Sequence, residues 1–174
     1  MVRELSATGA APTPDAFRGV MGRFATGVTI MTTEHEGAPH GMTANAVTSV
    51  SLDPLLVLVS VERSTVMAEQ VIAAGAFAIS FLAWEQRALS DRFADPNRPL
   101  GREQFAGLDL LEGETGVPIL EGGLGWVECR VWAVHDGGDH VLVVGEVVTL
   151  GEGGTSAPLV FYRGGYHELG PAAG

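Results

Sequence analysis

The last third of the chain carries the strongest constraint on its fold. Residues 124–135 and 140–150 both read as strand, and only Asp136-Gly137-Gly138-Asp139 separates them. A glycine pair flanked by aspartates suits a tight turn, so the two long strands are expected to pair as an antiparallel hairpin. Two shorter strands, 158–162 and 166–169, close the chain.

Upstream, β-branched residues over 28–33 and a turn over 34–40 predict an earlier hairpin. Residues 41–52 alternate as one strand, Asp53-Pro54 turns the chain, and Leu55–Val61 returns as a strand that reads as buried on both sides. Helices are few. Thr13-Pro14-Asp15 looks like a helix start, followed by Phe17, Val20, Met21 and Phe24 as one apolar stripe that Gly27 ends. Residues 64–74 and 85–93 suit two more helices, with a strand over 76–82 between them, whereas 95–121 reads as a long loop of functional or lid type. This pattern predicts a mainly β protein, a barrel with flanking helices, folded as one domain over 13–170 behind a mobile segment 1–12.

The formal charge of −11, with no cluster of Lys or Arg, excludes nucleic acid as the expected partner. It also means that any phosphorylated ligand must find a local group of donors. The one cysteine, Cys129, excludes an intrachain disulfide and is expected as a buried strand thiol. The five histidines show no metal-ligand spacing, so no metal is expected, and His35 and His40 read as solvated turn residues. The start lacks a signal-peptide core, and no apolar run approaches the roughly 20 residues of a membrane helix, so a soluble cytoplasmic protein is expected.

Two features bear on function. Thr43, Asn45, Val47, Ser49 and Ser51 line one side of the alternating strand with small polar groups and no charge. Such a side either faces water or receives a flat, hydrogen-bonding heterocycle. One strand later, Val61-Glu62-Arg63-Ser64-Thr65 leads into a helix, where free amides, two hydroxyls and a guanidinium could cradle a phosphate or simply cap the helix. Together they suggest a nucleotide-like cofactor, although no Gly-x-Gly-x-x-Gly joins a strand to a helix.

The segments FATGVTIMTT (24–33), GMTANAVTSVSLDPLLVLVS (41–60), FAISFLAWEQRALSDRFA (77–94), GGDHVLVVGEV (137–147) and PLVFYRGGYHEL (158–169) resemble, in order, the short-chain flavin reductases. These are the reductase components of two-component flavin-dependent monooxygenases, and they adopt an FMN-binding split barrel of Greek-key type. The resemblance implies that Thr43, Ala44, Asn45, Thr48 and Ser49 meet the flavin ring and ribityl chain. It implies that Ser60, Val61, Arg63, Ser64 and Thr65 hold the phosphate end, and that Phe81 approaches the flavin. Gly138, Asp139, His140, Tyr166 and His167 would serve the nicotinamide nucleotide.

By the same resemblance the protein is a homodimer that reduces FAD or FMN with NADH or NADPH and supplies reduced flavin to a partner monooxygenase. No catalytic side chain is required, because the hydride passes between the two nucleotides. Scarce basic residues lean towards NADH. Ala46, Val47 and Leu55 depart from residues frequent in the family, and Ala46 leaves FAD against FMN open. The alternatives are a pyridoxamine-phosphate-oxidase-like FMN enzyme and a non-catalytic flavin-binding or redox-sensing module.

Overall fold

The structure, a computed structural model, describes residues 11–170. Most of the expected mobile segment 1–12 lies outside them. The chain runs α1 (Pro14–Met21), β1 (Thr26–Gly27), β2 (Thr29–His35), β3 (Ala38–Ala44), β4 (Val47–Leu52), β5 (Leu55–Glu62), α2 (Val66–Ala74), β6 (Ala76–Phe81) and α3 (Arg87–Ala94). It continues through β7 (Leu110–Glu112), β8 (Pro118–Leu120), β9 (Gly125–Gly137), β10 (His140–Glu152), β11 (Leu159–Tyr162) and β12 (Gly165–Glu168).

The expected hairpin forms the backbone of the fold. Strands β9 and β10, 13 residues each, pair antiparallel from His140–Gly137 to Glu152–Gly125. The turn tightens to Gly138 and Asp139, and Gly138 takes a φ of 80° that a side chain would resist. Two register shifts bend the pair. Around it a seven-stranded antiparallel sheet assembles in the order β3-β2-β6-β9-β10-β5-β4.

That order decides the shape. Strands β3 and β4 occupy opposite ends of the sheet, yet only Asn45 and Ala46 join them. In a flat sheet those ends would stand about 29 Å apart, whereas the link reaches about 11 Å at full stretch. The sheet must therefore roll until its edges face each other. They do not zip into a closed ladder, and what results is a split barrel. The β4–β5 ladder runs one rung into the link, where the Ser60 amide donates to the Ala46 carbonyl at 3.0 Å.

The barrel interior is filled by Met31, Val59, Val61, Phe77, Ile79, Cys129, Val141 and Val143. Met67, Ala68 and Val71 of α2 join the same core. Burial pushes the Cys129 thiol up to about 12, so it stays protonated and behaves as an apolar group. A second cluster (Val28, Ile30, Leu82, Phe93, Phe105, Leu120 and Leu159) packs outside β2 and seats α3 and the loop after it. A small sheet, β1-β11-β12, attaches through Val28, Leu82 and Leu159 by backbone bonds of 3.0–3.1 Å.

Several expectations change. The first helix has the expected Thr13 cap and Pro14 start, but it ends at Met21 with Gly22 as its cap, not at Gly27. Residues 41–52 are not one strand. The polar run is divided between β3 and β4, so alternation along it does not define one face. Nor is Leu55–Val59 buried on both sides: Val59 is fully enclosed, while Leu55 is 44% exposed and Leu56, Val57 and Leu58 are half-buried. The long loop 95–121 holds a 3-10 turn (Gly101–Phe105) and the β7–β8 pair. Glu128, fully buried under that pair, accepts the Glu114 and Thr115 amides at 2.8 and 2.7 Å and holds the loop down. Among the described residues, no helix is long and apolar enough to cross a membrane.

Gly145 marks where the rolled sheet is tightest. A Cβ there would stand 2.6 Å from Phe77 Cε1 and 2.8 Å from Cys129 Cβ, so even one methyl group displaces the core. Gly145→Ala is expected to cost about 1–3 kcal/mol. A lowered urea midpoint at unchanged slope would show it.

Candidate functional site

Rolling the sheet sets two backbone edges against each other. On β3 the Gly41 amide points away from β2 and donates to Gln104 at 2.9 Å, so by antiparallel alternation the N–H and C=O of Thr43 also face the open side. On β5 the Ser60 amide points away from β10, which places the Glu62 amide on the facing edge beyond the reach of β4. Between the edges lies a cavity of about 540 Å³, with Thr43 on one wall, Ser64 and Thr65 on another, and Phe93, Ala94, Pro96, Arg98 and Leu100 opposite. A smaller cavity of about 200 Å³ shares Thr43 and Ala94 with it and adds Asn45, Phe161 and Tyr166. The two form one groove along the split.

The walls are held in place by short polar contacts. The Thr43 hydroxyl donates to the Ser90 carbonyl on α3 at 2.7 Å, and the Ser90 hydroxyl lies 2.8 Å from the Tyr166 hydroxyl. Thus α3 fixes β3 and β12 to each other. The Tyr166 ring packs edge-on against Phe161 at 5.8 Å, with the Arg87 guanidinium 5.5 Å from its centroid. Thr65 caps α2, accepting the Ala68 amide at 3.3 Å. Ser64 donates its hydroxyl to Glu62 Oε1 at 2.7 Å, so a carboxylate stands at the mouth of the cradle.

The sequence-predicted residues form two groups, and the rest stand outside both. Thr43, Asn45, Ser64, Thr65 and Tyr166 line the groove. Ala44 is buried with its carbonyl accepting Thr29 at 2.7 Å, Asn45 donates to Thr26 at 3.1 Å, Ser60 is half-buried, and Val61 is in the core. Thr48 and Ser49 stand exposed on β4 beyond the link, and Phe81 packs at the end of the inner core.

The second group forms around the hairpin turn. Arg63 turns away from the cavity: its Nη2 donates to Asp136 at 2.8 Å and to the His140 carbonyl at 3.2 Å, and its Nε to the Gly138 carbonyl at 3.3 Å. His140 Nδ1 is 2.7 Å from Asp139 Oδ1, and that hydrogen bond, then the charge of the imidazole, holds the Asp139 carboxyl below its usual range. His167 stands apart from both groups, exposed and edge-on to Tyr162 at 5.8 Å.

Two residues of the site carried no sequence signal. His40 is not a solvated turn residue. It lies within β3, 3% exposed, because the loop after α3 folds over it. Arg98 from that loop donates through Nη2 to the Gly41 carbonyl at 2.8 Å, with His40 Nε2 at 3.2 Å, and through Nη1 to the Asp95 carbonyl at 2.9 Å. A guanidinium has only donors, so His40 Nε2 must be the acceptor and the ring neutral. Burial first, then the Arg98 charge, lowers the His40 pKa to about 4.

Sequence comparison bears on what this groove serves. The pattern of the flavin reductase like domain matches residues 21–170. The chain belongs to that family. It is 45% identical over 160 residues to an NADH-dependent flavin reductase of Rhodococcus sp, covering 90% of this chain and 87% of that one. Flavin reductase folds also superpose on it. BorF, the flavin reductase component of a bacterial two-component tryptophan halogenase, is 37% identical with a TM-score of 0.86, covering 92% of this chain and all of that one (100%). The Streptomyces globisporus NADH:FAD oxidoreductase SgcE6, solved with NAD and FAD fragments, is 36% identical with a TM-score of 0.84, covering 92% and 94%.

His40 gives this flavin reductase-like fold a pH signature. Its pKa is about 4 folded against 6.5 unfolded, so below pH 6.5 the unfolded chain binds the proton that the folded chain refuses. Stability from this group is complete above pH 6.5 and falls by about 3 kcal/mol as pH drops towards 4. Urea midpoints across that window should show the slope, and His40→Gln should flatten it.

Proposed function

We propose that the chain is an NADH-dependent flavin reductase that passes a hydride from NADH to FAD or FMN and supplies the reduced flavin to a separate monooxygenase. The observation that carries this reading is the groove along the split, walled by backbone edges and hydroxyls from β3, the β5–α2 turn, α3 and β12. A planar heterocycle with many acceptors and donors fits such walls, and a phosphate tail fits the amides and hydroxyls at the start of α2. NADH and flavin supply the redox chemistry when bound, by hydride transfer between the two rings.

The protein's part is to bind and orient. Thr43, Ala44, Asn45, Thr48 and Ser49 offer amides, carbonyls and short side chains to the ring and ribityl chain, with Phe81 in the layer beneath. Ser60, Ser64 and Thr65 present hydroxyl groups to the phosphate end beside the unpaired Glu62 amide, with Val61 in the core beneath them. Arg63 ties that end to the Gly138–Asp139–His140 turn, which together with Tyr166 and His167 serves the nicotinamide nucleotide. Holding both nucleotides on one protein converts an encounter in solution into a positioned one, where most of the rate gain of such a reaction lies.

The test uses purified protein, NADH and free FAD or FMN, followed at the nicotinamide absorbance. Steady oxidation with added flavin is expected, and its absence with every flavin would refute the reading. His140→Ala should raise the Michaelis constant for NADH about tenfold, the cost of one charge-assisted hydrogen bond, with flavin affinity little changed. Oxidation of pyridoxamine phosphate instead would favour an amine oxidase, and flavin binding without turnover a sensing module.

The active form is a homodimer. Phe17, Val20, Met21 and Phe24 on and after α1 are 49–70% exposed, and Val50, Leu52 and Leu55 along β4 and β5 are 44–87% exposed. A chain of charge −11 has no reason to leave this much apolar side chain in water unless a second copy covers it. Sedimentation should give twice the chain mass, and Leu52→Glu combined with Val20→Glu should yield monomer.

A further inference from the structure

We propose that Arg98, and not Arg63, supplies the charge that holds the phosphate end of the flavin. This rests on the reading of the groove as a flavin site and adds to it a residue outside the motifs that suggested it. Arg63 is unsuited because its guanidinium is spent on the Asp136 carboxylate and on two carbonyls of the hairpin turn. It does not line the cavity that Ser64 and Thr65 line.

Arg98 does line it, from the facing wall. Among the described residues no carboxylate lies within 4.0 Å of its guanidinium, whereas Arg63, Arg18, Arg87 and Arg102 each have one. Three of its five N–H groups are occupied, by the Asp95 and Gly41 carbonyls and the His40 ring. One Nη1 hydrogen and the Nε hydrogen have no acceptor among the described residues, and Nε is buried without a partner. A half-buried cation with unfilled donors is costly unless an anion completes it.

The surroundings sharpen the requirement. His40, the other basic group on this wall, is neutral and so cannot share the task. Glu62 sits on the opposite side holding the Ser64 hydroxyl, and it repels an incoming phosphate. In a protein of charge −11, the amides of a helix start beside a carboxylate do not retain a dianion unaided. A guanidinium across the cavity offsets Glu62, and its three bonds to β3 and the loop fix it there before ligand arrives.

Equilibrium titration by flavin fluorescence tests this without turnover. FMN, FAD and riboflavin, which lacks phosphate, are each bound to wild type, Arg98→Gln, Arg98→Lys and Arg63→Gln. Arg98→Gln should weaken FMN and FAD about ten- to a hundredfold, leave riboflavin within about twofold, and be partly rescued by Arg98→Lys. Arg63→Gln should change FMN and riboflavin affinity by the same factor, because its guanidinium holds the hairpin turn and does not line the cavity. In wild type, added salt should weaken FMN but not riboflavin. Unchanged FMN affinity in Arg98→Gln, an equal loss for riboflavin, or a rise only in the NADH Michaelis constant would overturn the proposal. A wild type that does not prefer FMN to riboflavin overturns it even if the variants fail to fold. A wild type that binds none of the three flavins refutes the flavin reading itself.

Discussion

The fold depends on one short connection. Asn45 and Ala46 must join the two end strands of a seven-stranded sheet, and no flat arrangement lets them. Rolling the sheet satisfies the link, but β3 and the end of β5 then face each other across a gap. Free strand edges are usually a liability, open to pairing with another chain. Here one is filled from within: Gln104 accepts the Gly41 amide and donates to the Pro39 carbonyl at 3.0 Å, and Arg98 takes the Gly41 carbonyl. What remains unpaired, around Thr43 and Glu62, is the groove. The site is thus the part of the split that the protein leaves for a ligand to pair.

The same logic accounts for the buried polar groups outside the barrel. Gln104 is fully buried and bonded to Gly41, Pro39 and Gly101, while Glu128 is fully buried and bonded to Glu114 and Thr115. Each fastens a stretch of residues 95–121 to the sheet, and losing either would strand several backbone groups without partners. That segment is therefore no loose lid. It is a strap whose anchoring fixes the position of Arg98 and shuts His40 away from water.

Local chemistry and long-range geometry were unequally readable. The β9–β10 hairpin and the Thr13 cap follow from neighbours in sequence and formed where expected, whereas α2 begins at Val66 with Thr65 as its cap, two residues later than the expected 64. The break at Asn45 and Ala46 did not follow, because alternation continues through it. Only the strand order reveals that Thr43 and Ser49 belong to opposite ends of the sheet. The apolar run at Leu55–Val59 suggested a strand buried on both sides, whereas Leu55 is exposed and Leu56, Val57 and Leu58 are half-buried. His40 and Arg98 are separated by 58 positions in sequence, so neither could announce the other.

The proposed function sets a demand on the electrostatics of the groove. Substrate and product differ in the ring, not in the phosphate tail, so a tail held very tightly would retain reduced flavin as firmly as it captured oxidised flavin. A chain of charge −11 that offers one guanidinium, opposed by Glu62, keeps the tail's contribution modest. On the proposed function, discrimination between the two ring states would fall to the Thr43–Asn45 edge, where amides and carbonyls are already aligned by β2 and α3. A protein that must release reduced flavin to a partner gains more from a weak, well-placed cation than from a cluster of them.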